Sequence, residues 1–247
     1  MLPINDFIPG FSVDCVIFGF HAGELKVLLL KMKNWERWAL PGGFIEKKED
    51  VDQGAHRVLQ VRTGLDQIQL QQFYLFGKKE RNAGFSQLLA QRGVIVPGEE
   101  ATWFSQRFIS LAYYSLVEFS LVKEPSPDYL SEAITWFPMS ELPPLVLDHA
   151  DMVGKAIDAL REELYLRPVG KDLLPKEFTM PELQGLYEAV LGYKLDRRNF
   201  RRKMLSYDLL IDTGTKRTGG ANKAPILYRF DLNKYEYALK HGLKKAF

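Results

Sequence analysis

A single cysteine, Cys15, in 247 residues excludes any disulfide within the chain. It stands in the apolar stretch 13–20, which predicts a buried structural thiol rather than a reactive one. No apolar run approaches the roughly 20 residues that a membrane-spanning helix needs, so no membrane partner is expected. The first ten residues lack the basic segment followed by an apolar one that marks a secretory signal, and the expected location is cytoplasmic. What remains, at 46% hydrophobic and 26% charged residues, falls in the ordinary globular range, with room for one large domain or two modest ones.

The net charge of +2 conceals a segregation. Residues 1–167 hold 17 Lys and Arg against 22 Asp and Glu, a net of −5; residues 168–247 hold 16 against 9, a net of +7. A basic third joined to an acidic two-thirds predicts that only the C-terminal part meets a polyanion.

Hydrophobic patterning divides the chain in the same place. Residues 13–20 and 25–31, joined by the turn signal His21-Ala22-Gly23-Glu24, predict a hairpin. After Pro41-Gly42-Gly43 and an acidic loop, a helix is expected over 51–63, with Asp50 and Gln53 as a capping box and Gly64 as its stop. Strands are expected near 72–77, 108–119 and 134–138, then a helix over 149–165 with Asp148 and Asp151 placed to cap it. Strands interleaved with two helices predict an α+β or α/β sandwich. Residues 82–106 fit this pattern poorly. A short helix over 85–91, a turn at Gly98-Glu99-Glu100, and disorder or a partner contact are the expectations there.

Leu166-Arg167-Pro168-Val169-Gly170 is the expected boundary, giving domains of 1–166 and 167–247. Beyond it, Thr179 and Glu182 bracket a second capping box with Pro181 in the first turn, and the helix runs to Gly192. Asp196 caps another helix to about Leu205, and strands at 209–212 and 226–230 flank the Gly- and Lys-rich 213–225. Helix, turn, helix and a hairpin with a long basic loop predict a winged helix-turn-helix.

Two clusters carry chemistry. In the second, Phe200 and Met204 lie four apart and should face the core, leaving Arg197, Arg198, Asn199, Arg201, Arg202 and Lys203 outward. Arg and Asn at the N-terminal end of such a helix can read guanine and adenine edges in the major groove. Lys216, Arg217 and Lys223 in the wing are expected to hold phosphates. The first cluster is Gly43, Glu49, Arg57, Gly64 and Leu65, which stand at the spacing of the Nudix box, G-x5-E-x7-R-E-U-x-E-E-x-G-U with U bulky and apolar. Where that box carries three glutamates on one helix face, this chain has Val58, Val61 and Arg62. Valines offer no hard oxygen to a divalent cation, and Arg62 brings a positive charge to the place where it would sit. Glu46 and Glu49 remain in the preceding loop, where loop charge and helix capping account for them. No metal site, no catalytic residue and no cofactor are therefore expected.

A degenerate Nudix domain followed by a winged helix resembles the Nudix-related transcriptional regulators of the NrtR family, over nearly the whole chain. Phe18-Gly19-Phe20, Leu111-Ala112-Tyr113-Tyr114, Leu147-Asp148-His149 and 174–179 look especially like its Bacteroidetes branch, which includes arabinose-responsive repressors. The resemblance implies an α/β/α Nudix-type sandwich of the α+β class, a homodimer on a palindromic double-stranded operator, and a small-molecule effector, either a pentose or an ADP-ribose-like nucleotide. The expected effector site is the cleft between the 41–47 loop and the Arg107 strand, with Gly42, Gly43, Lys47, Glu80, Arg81 and Arg107 as its candidates. Two other readings stay open at this point: a Nudix hydrolase acting on ADP-ribose or another nucleoside diphosphate sugar, and a nucleotide- or RNA-binding scaffold.

Overall fold

The computed structural model describes residues 3–66, 68–121, 130–217 and 224–243. Its contacts divide the chain into two compact units, one of Met1–Phe18 with Lys26–Ala156 and one of Gly19–Leu25 with Ile157–Phe247.

The first unit is built on a seven-stranded mixed sheet. Its long central strands are β1 (Phe7–His21) and β2 (Glu24–Met32), followed by the short β3 (Trp38–Ala39) and β4 (Gly42–Glu46). With β5 (Gln71–Phe76), β6 (Ile109–Glu118) and β7 (Ser131–Pro138) the order is β3-β2-β1-β6-β5, with β4 paired to β1 and β7 to β2. Helix α1 (Val51–Thr63) forms where the capping box predicts it: Asp50 and Gln53 satisfy one another's backbone amides, and Gly64 ends the helix at φ +70°. Ala55, Val58 and Leu59 then bury against Val13, Cys15, Ile17, Leu28 and Ile45, one face of the sheet closed by one face of a helix.

Residues 82–106 bear out one expectation and correct another. The short helix over 85–91 forms as α2 (Phe85–Gln91) and a turn closes at Gly98, but Glu99 and Glu100 begin a further helix, α3 (Glu99–Ser105), so disorder does not describe the segment. Gly98 is the N-cap of α3 at φ +125°, and Glu99 and Glu100 occupy its first turn, where negative charge complements the helix dipole. Leu89, Trp103 and Phe104 bury against Phe7, Phe108 and Val146 in a second apolar cluster. That burial, rather than helix propensity, is what orders two seven-residue helices. The helix α4 (His149–Leu166) follows.

The second unit contains β8 (Phe178–Thr179), α5 (Met180–Leu191), α6 (Arg197–Ser206), β9 (Leu210–Lys216), β10 (Ile226–Phe230) and α7 (Leu232–His241), with a three-stranded sheet in the order β8-β10-β9. Thr179 and Glu182 form the expected capping box, and Asp196 and Asp231 accept from the N3 amides of α6 and α7. This is a winged helix with one helix more than the sequence pattern predicts.

Candidate functional site

In the first unit, a pocket of about 110 Å3 opens beside β1 and β4. Its polar centre is Asp14, a carboxylate carried by the middle of an otherwise apolar strand and only 7% exposed. The register sets Asp14 opposite Gly42, and a Cβ at position 42 would lie 2.1 Å from Asp14 Oδ1. The glycine is there because the carboxylate needs its space. Ser110 donates to Asp14 Oδ2 at 2.6 Å, and Arg81 Nη2 and His149 Nε2 stand 3.6 and 3.7 Å from its two oxygens.

Arg81 is held by a two-point hydrogen bond to Asp148, with Nη2 2.8 Å from Oδ1 and Nε 3.1 Å from Oδ2. Both oxygens of Asp148 thus meet Arg81, a partner that helix capping does not foresee. His149 accepts the Leu40 amide on Nδ1 at 2.9 Å, which places the ring proton on Nε2, toward Asp14. Burial lowers the His149 pKa, with Arg81 acting in the same direction and Asp14 and Asp148 opposing. Arg62 donates through Nε to the Gly42 carbonyl at 2.9 Å, and burial pulls its pKa down to about 10, against the attraction of Asp14, so it stays cationic at neutral pH. Phe44, Phe85, Phe104 and Phe108 complete an aromatic wall. An open, largely apolar pocket with a few fixed donors and acceptors can hold a small polyhydroxylated ring, its faces on the aromatics and its hydroxyls on the polar groups.

A pH dependence follows from His149. The folded protein keeps it neutral, while the unfolded chain takes up a proton below the ordinary value of 6.5. Stability is therefore expected to fall as the pH drops from about 7 toward 5. His149→Gln, which retains an acceptor for the Leu40 amide, should flatten that fall in thermal unfolding across this range. Equal slopes for the two proteins would contradict the assignment.

Of the residues expected to bind an effector, Gly42, Gly43 and Arg81 line this pocket. Lys47 does not: its ammonium donates to the Asn5 carbonyl at 2.8 Å. Nor does Arg107, which is exposed and donates to the Gly77 carbonyl at 2.8 Å. Glu80 lies in a neighbouring groove. The sequence pattern missed Asp14, Asn82 and His149 as lining groups; Asp14, a lone carboxylate inside an apolar strand, and His149, within the family-like stretch 147–149, each left a signal.

The box residues have a different arrangement. Arg57 grips Glu49 with Nε at 2.8 Å and Nη2 at 2.5 Å, donates to the Phe44 carbonyl at 2.8 Å, and lies 3.7 Å from Glu46. The Arg57 hydrogen bonds hold the Glu49 carboxyl below its ordinary range. Glu49 is thus a clasp for the loop rather than solvated charge. Val58 packs on Gly43, and Val61 is 66% exposed. Among the described residues, no group of three or more His, Cys, Asp or Glu is placed to hold a metal ion.

In the second unit, Phe200 and Met204 are buried, with Phe200 edge-on to Tyr187 at 5.3 Å. That fixes the rotation of α6 and leaves Arg197, Arg198, Asn199, Arg201, Arg202 and Lys203 exposed. Arg202 donates to the Asn199 side chain at 2.9 Å, and Arg201 Nη2 is 3.5 Å from the Tyr228 hydroxyl. Lys216 is exposed at the end of β9. Arg217 has a protein partner that the wing reading did not foresee: it is ion-paired with Glu182, the capping glutamate of α5. Lys223 lies outside the described residues.

Residues 9–156 match the model of the NUDIX domain, and residues 170–230 match that of the NrtR DNA-binding winged helix domain. The chain is 30% identical, over 93% of its length and 85% of the relative's, to the ADPR responsive transcriptional repressor NtrR of Acinetobacter baylyi. The crystal structure of Shewanella oneidensis NrtR superposes with a TM-score of 0.71 at 27% identity, covering 95% of this chain and 98% of that one. The same protein complexed with a 27mer DNA gives 0.70 at 26%, covering 95% and 97%.

Proposed function

The chain belongs to the NrtR family of Nudix-domain transcriptional regulators, and from that premise we propose that it is an effector-responsive repressor. In this reading residues 1–166 sense the effector, and residues 167–247 bind a palindromic double-stranded operator as part of a homodimer in the cytoplasm. The observation that carries it is α6, a helix whose core-facing residues leave five cations and an asparagine exposed. Arg197 and Arg198, in the first turn, are assigned to base edges. Arg201, Arg202, Lys203 and Lys216 are assigned to phosphates. Arg217 is assigned to positioning the wing through Glu182.

The effector is assigned to the Asp14–Arg81–His149 pocket, and its recognised part is a pentose ring. Two sources share that chemistry. The curated relative is named for ADP-ribose, whereas 111–114 and 147–149 resemble the arabinose-responsive branch. NAD-related and sugar-utilisation genes are the corresponding targets. Fluorescence anisotropy on the DNA upstream of the protein's own gene cluster tests both, with ADP-ribose in one arm and L-arabinose in the other. Release or tightening by one ligand identifies the source, and no response to either would refute the pocket assignment.

Hydrolysis is not supported. With Val58 on Gly43, Val61 facing outward and Glu49 engaged by Arg57, the box presents no carboxylate cluster. Incubation with ADP-ribose and magnesium is expected to give no turnover near an ordinary enzymatic rate of about 1 per second. Product formed at such a rate and abolished by EDTA would restore the hydrolase reading.

A further inference from the structure

The four arginines of α6 stand in two pairs, Arg197 with Arg201 and Arg198 with Arg202, each pair one turn apart on the helix. The first pair faces a hollow. Arg197 and Arg201 line a cavity of about 140 Å3, bounded by the first turn of α5 at Met180 and Pro181 and by β10 at Ile226 and Tyr228. Like charges one turn apart repel and weaken a helix. Elsewhere in this unit exposed cations are answered by acids, Lys194 by Glu188 and Arg217 by Glu182. Among the described residues no carboxylate lines this hollow, and none is paired with either arginine.

Tyr228 reaches the same place from the other side. Its residue is only 5% exposed, and its backbone is held in the middle strand of the small sheet, opposite Phe178 of β8 and Asp212 of β9. The hydroxyl oxygen accepts from Arg201 Nη2 at 3.5 Å, a long bond, and the hydroxyl hydrogen has no acceptor among the described residues. Gln184, the other polar group in the lining, spends its side-chain N–H on Glu188 and on the Leu195 carbonyl, at 2.8 and 2.9 Å. The hollow therefore presents donors and positive charge, and it lacks the anionic acceptor that both call for.

We propose that this hollow seats one phosphate of the DNA backbone, with Arg201 and the Tyr228 hydroxyl as its two ligands. The phosphate oxygens accept from both, so the long contact between them is exchanged for charge-assisted bonds. Phosphate contacts fix the register of a reading helix on the duplex, while base contacts read the sequence. Tyr228 is suited to that anchoring because it stands on a paired strand rather than on a loop. Arg197 adds its charge to the hollow without a bond to Tyr228, and its assignment to a base edge stands. The inference rests on the DNA-binding reading above.

Anisotropy titration of the full chain tests it, on a duplex from upstream of the protein's own gene cluster and on a scrambled one. Tyr228→Phe removes one oxygen and keeps the ring. It should weaken both duplexes alike, by roughly tenfold, as expected for a hydrogen bond to a charged group. The hydroxyl is neutral, so the salt slope should stay, whereas Arg201→Ala should reduce it by about one. Replacing the backbone phosphates one at a time by uncharged methylphosphonates locates the seat: one position should matter to wild type and matter little to either variant. If Tyr228→Phe binds both duplexes as wild type does, or responds to every methylphosphonate as wild type does, the seat is refuted and the DNA reading stands. If wild type binds neither duplex, both fall. Inorganic phosphate that binds in isothermal titration, and is lost in Tyr228→Phe while DNA affinity is unchanged, would make this a free-anion site and refute the backbone assignment.

Discussion

Replacing Arg81 by methionine should destabilise the protein by roughly 3–5 kcal/mol, the range observed when one partner is removed from a buried charge pair. The guanidinium is 2% exposed and faces two carboxylates, Asp148 at 2.8 Å and Asp14 at 3.6 Å, themselves only 10% and 9% exposed. Methionine fills much of the volume, so the loss comes from stranding two buried charges rather than from a cavity. Urea unfolding measures it. Adding Asp148→Asn to Arg81→Met should recover part of the deficit, because the two residues are coupled and their effects do not sum. A loss below about 1 kcal/mol would mean that the pair is effectively solvated.

The second large effect is on DNA. If Arg197 and Arg198 read bases as proposed, each contributes roughly 1–3 kcal/mol, so Arg197→Ala with Arg198→Ala should weaken operator binding by on the order of a hundredfold and relax sequence preference. Lys216→Ala should behave differently, weakening every sequence alike and reducing the salt slope by about one. Anisotropy titrations with operator and scrambled DNA over a range of salt separate the two. Both residue classes are exposed, and α6 is anchored through the buried Phe200 and Met204, so neither change should disturb folding. Identical behaviour of the two classes would dissolve the division between base and phosphate contacts.

Elements with a chemical terminus were legible in the sequence. Asp50–Gln53 with Gly64 bounded α1, Thr179–Glu182 with Gly192 bounded α5, and Asp196 started α6, because a cap is a local hydrogen bond that a few adjacent residues specify. Elements defined by tertiary partners were not. The strands β3 and β4 are two and five residues long and exist through pairing with β2 and β1. The first half of β1, with Pro9 and Gly10, lies outside the stretch 13–20 that the pattern marks as a strand, and Gly10 is needed there at φ +69° with the Arg107 carbonyl 2.8 Å from where a Cβ would be. The cap of α7 is a local hydrogen bond as well, from the Lys234 amide to Asp231, so this helix too carries its start signal in the sequence.

The candidate pocket divides in the same way. Gly42 and Gly43 belong to a contiguous motif and could be read directly. Ser110 follows Asp14 by 96 residues and His149 lies further on still, and nothing local announces that the sheet order β1-β6 and the start of α4 bring the three together. Arg107 looked as suitable as Arg81, since both are arginines beside strand ends. Only the fold tells them apart, turning one inward onto Asp148 and the other outward onto the Gly77 carbonyl.

The buried thiol of Cys15 has a practical side. It is fully enclosed in the core of the first unit, and burial, with Asp14 beside it, raises its pKa far out of the range where thiolates form. An alkylating reagent should therefore leave the folded protein unmarked. A cysteine introduced at an exposed position, such as Ser105 or Ser206, would carry a fluorophore or spin label alone, with no need to mutate the native one. The same silence makes Cys15 an internal clock for unfolding: each molecule becomes labelled only when β1 leaves the sheet, so mass spectrometry after a timed pulse counts the opened fraction directly.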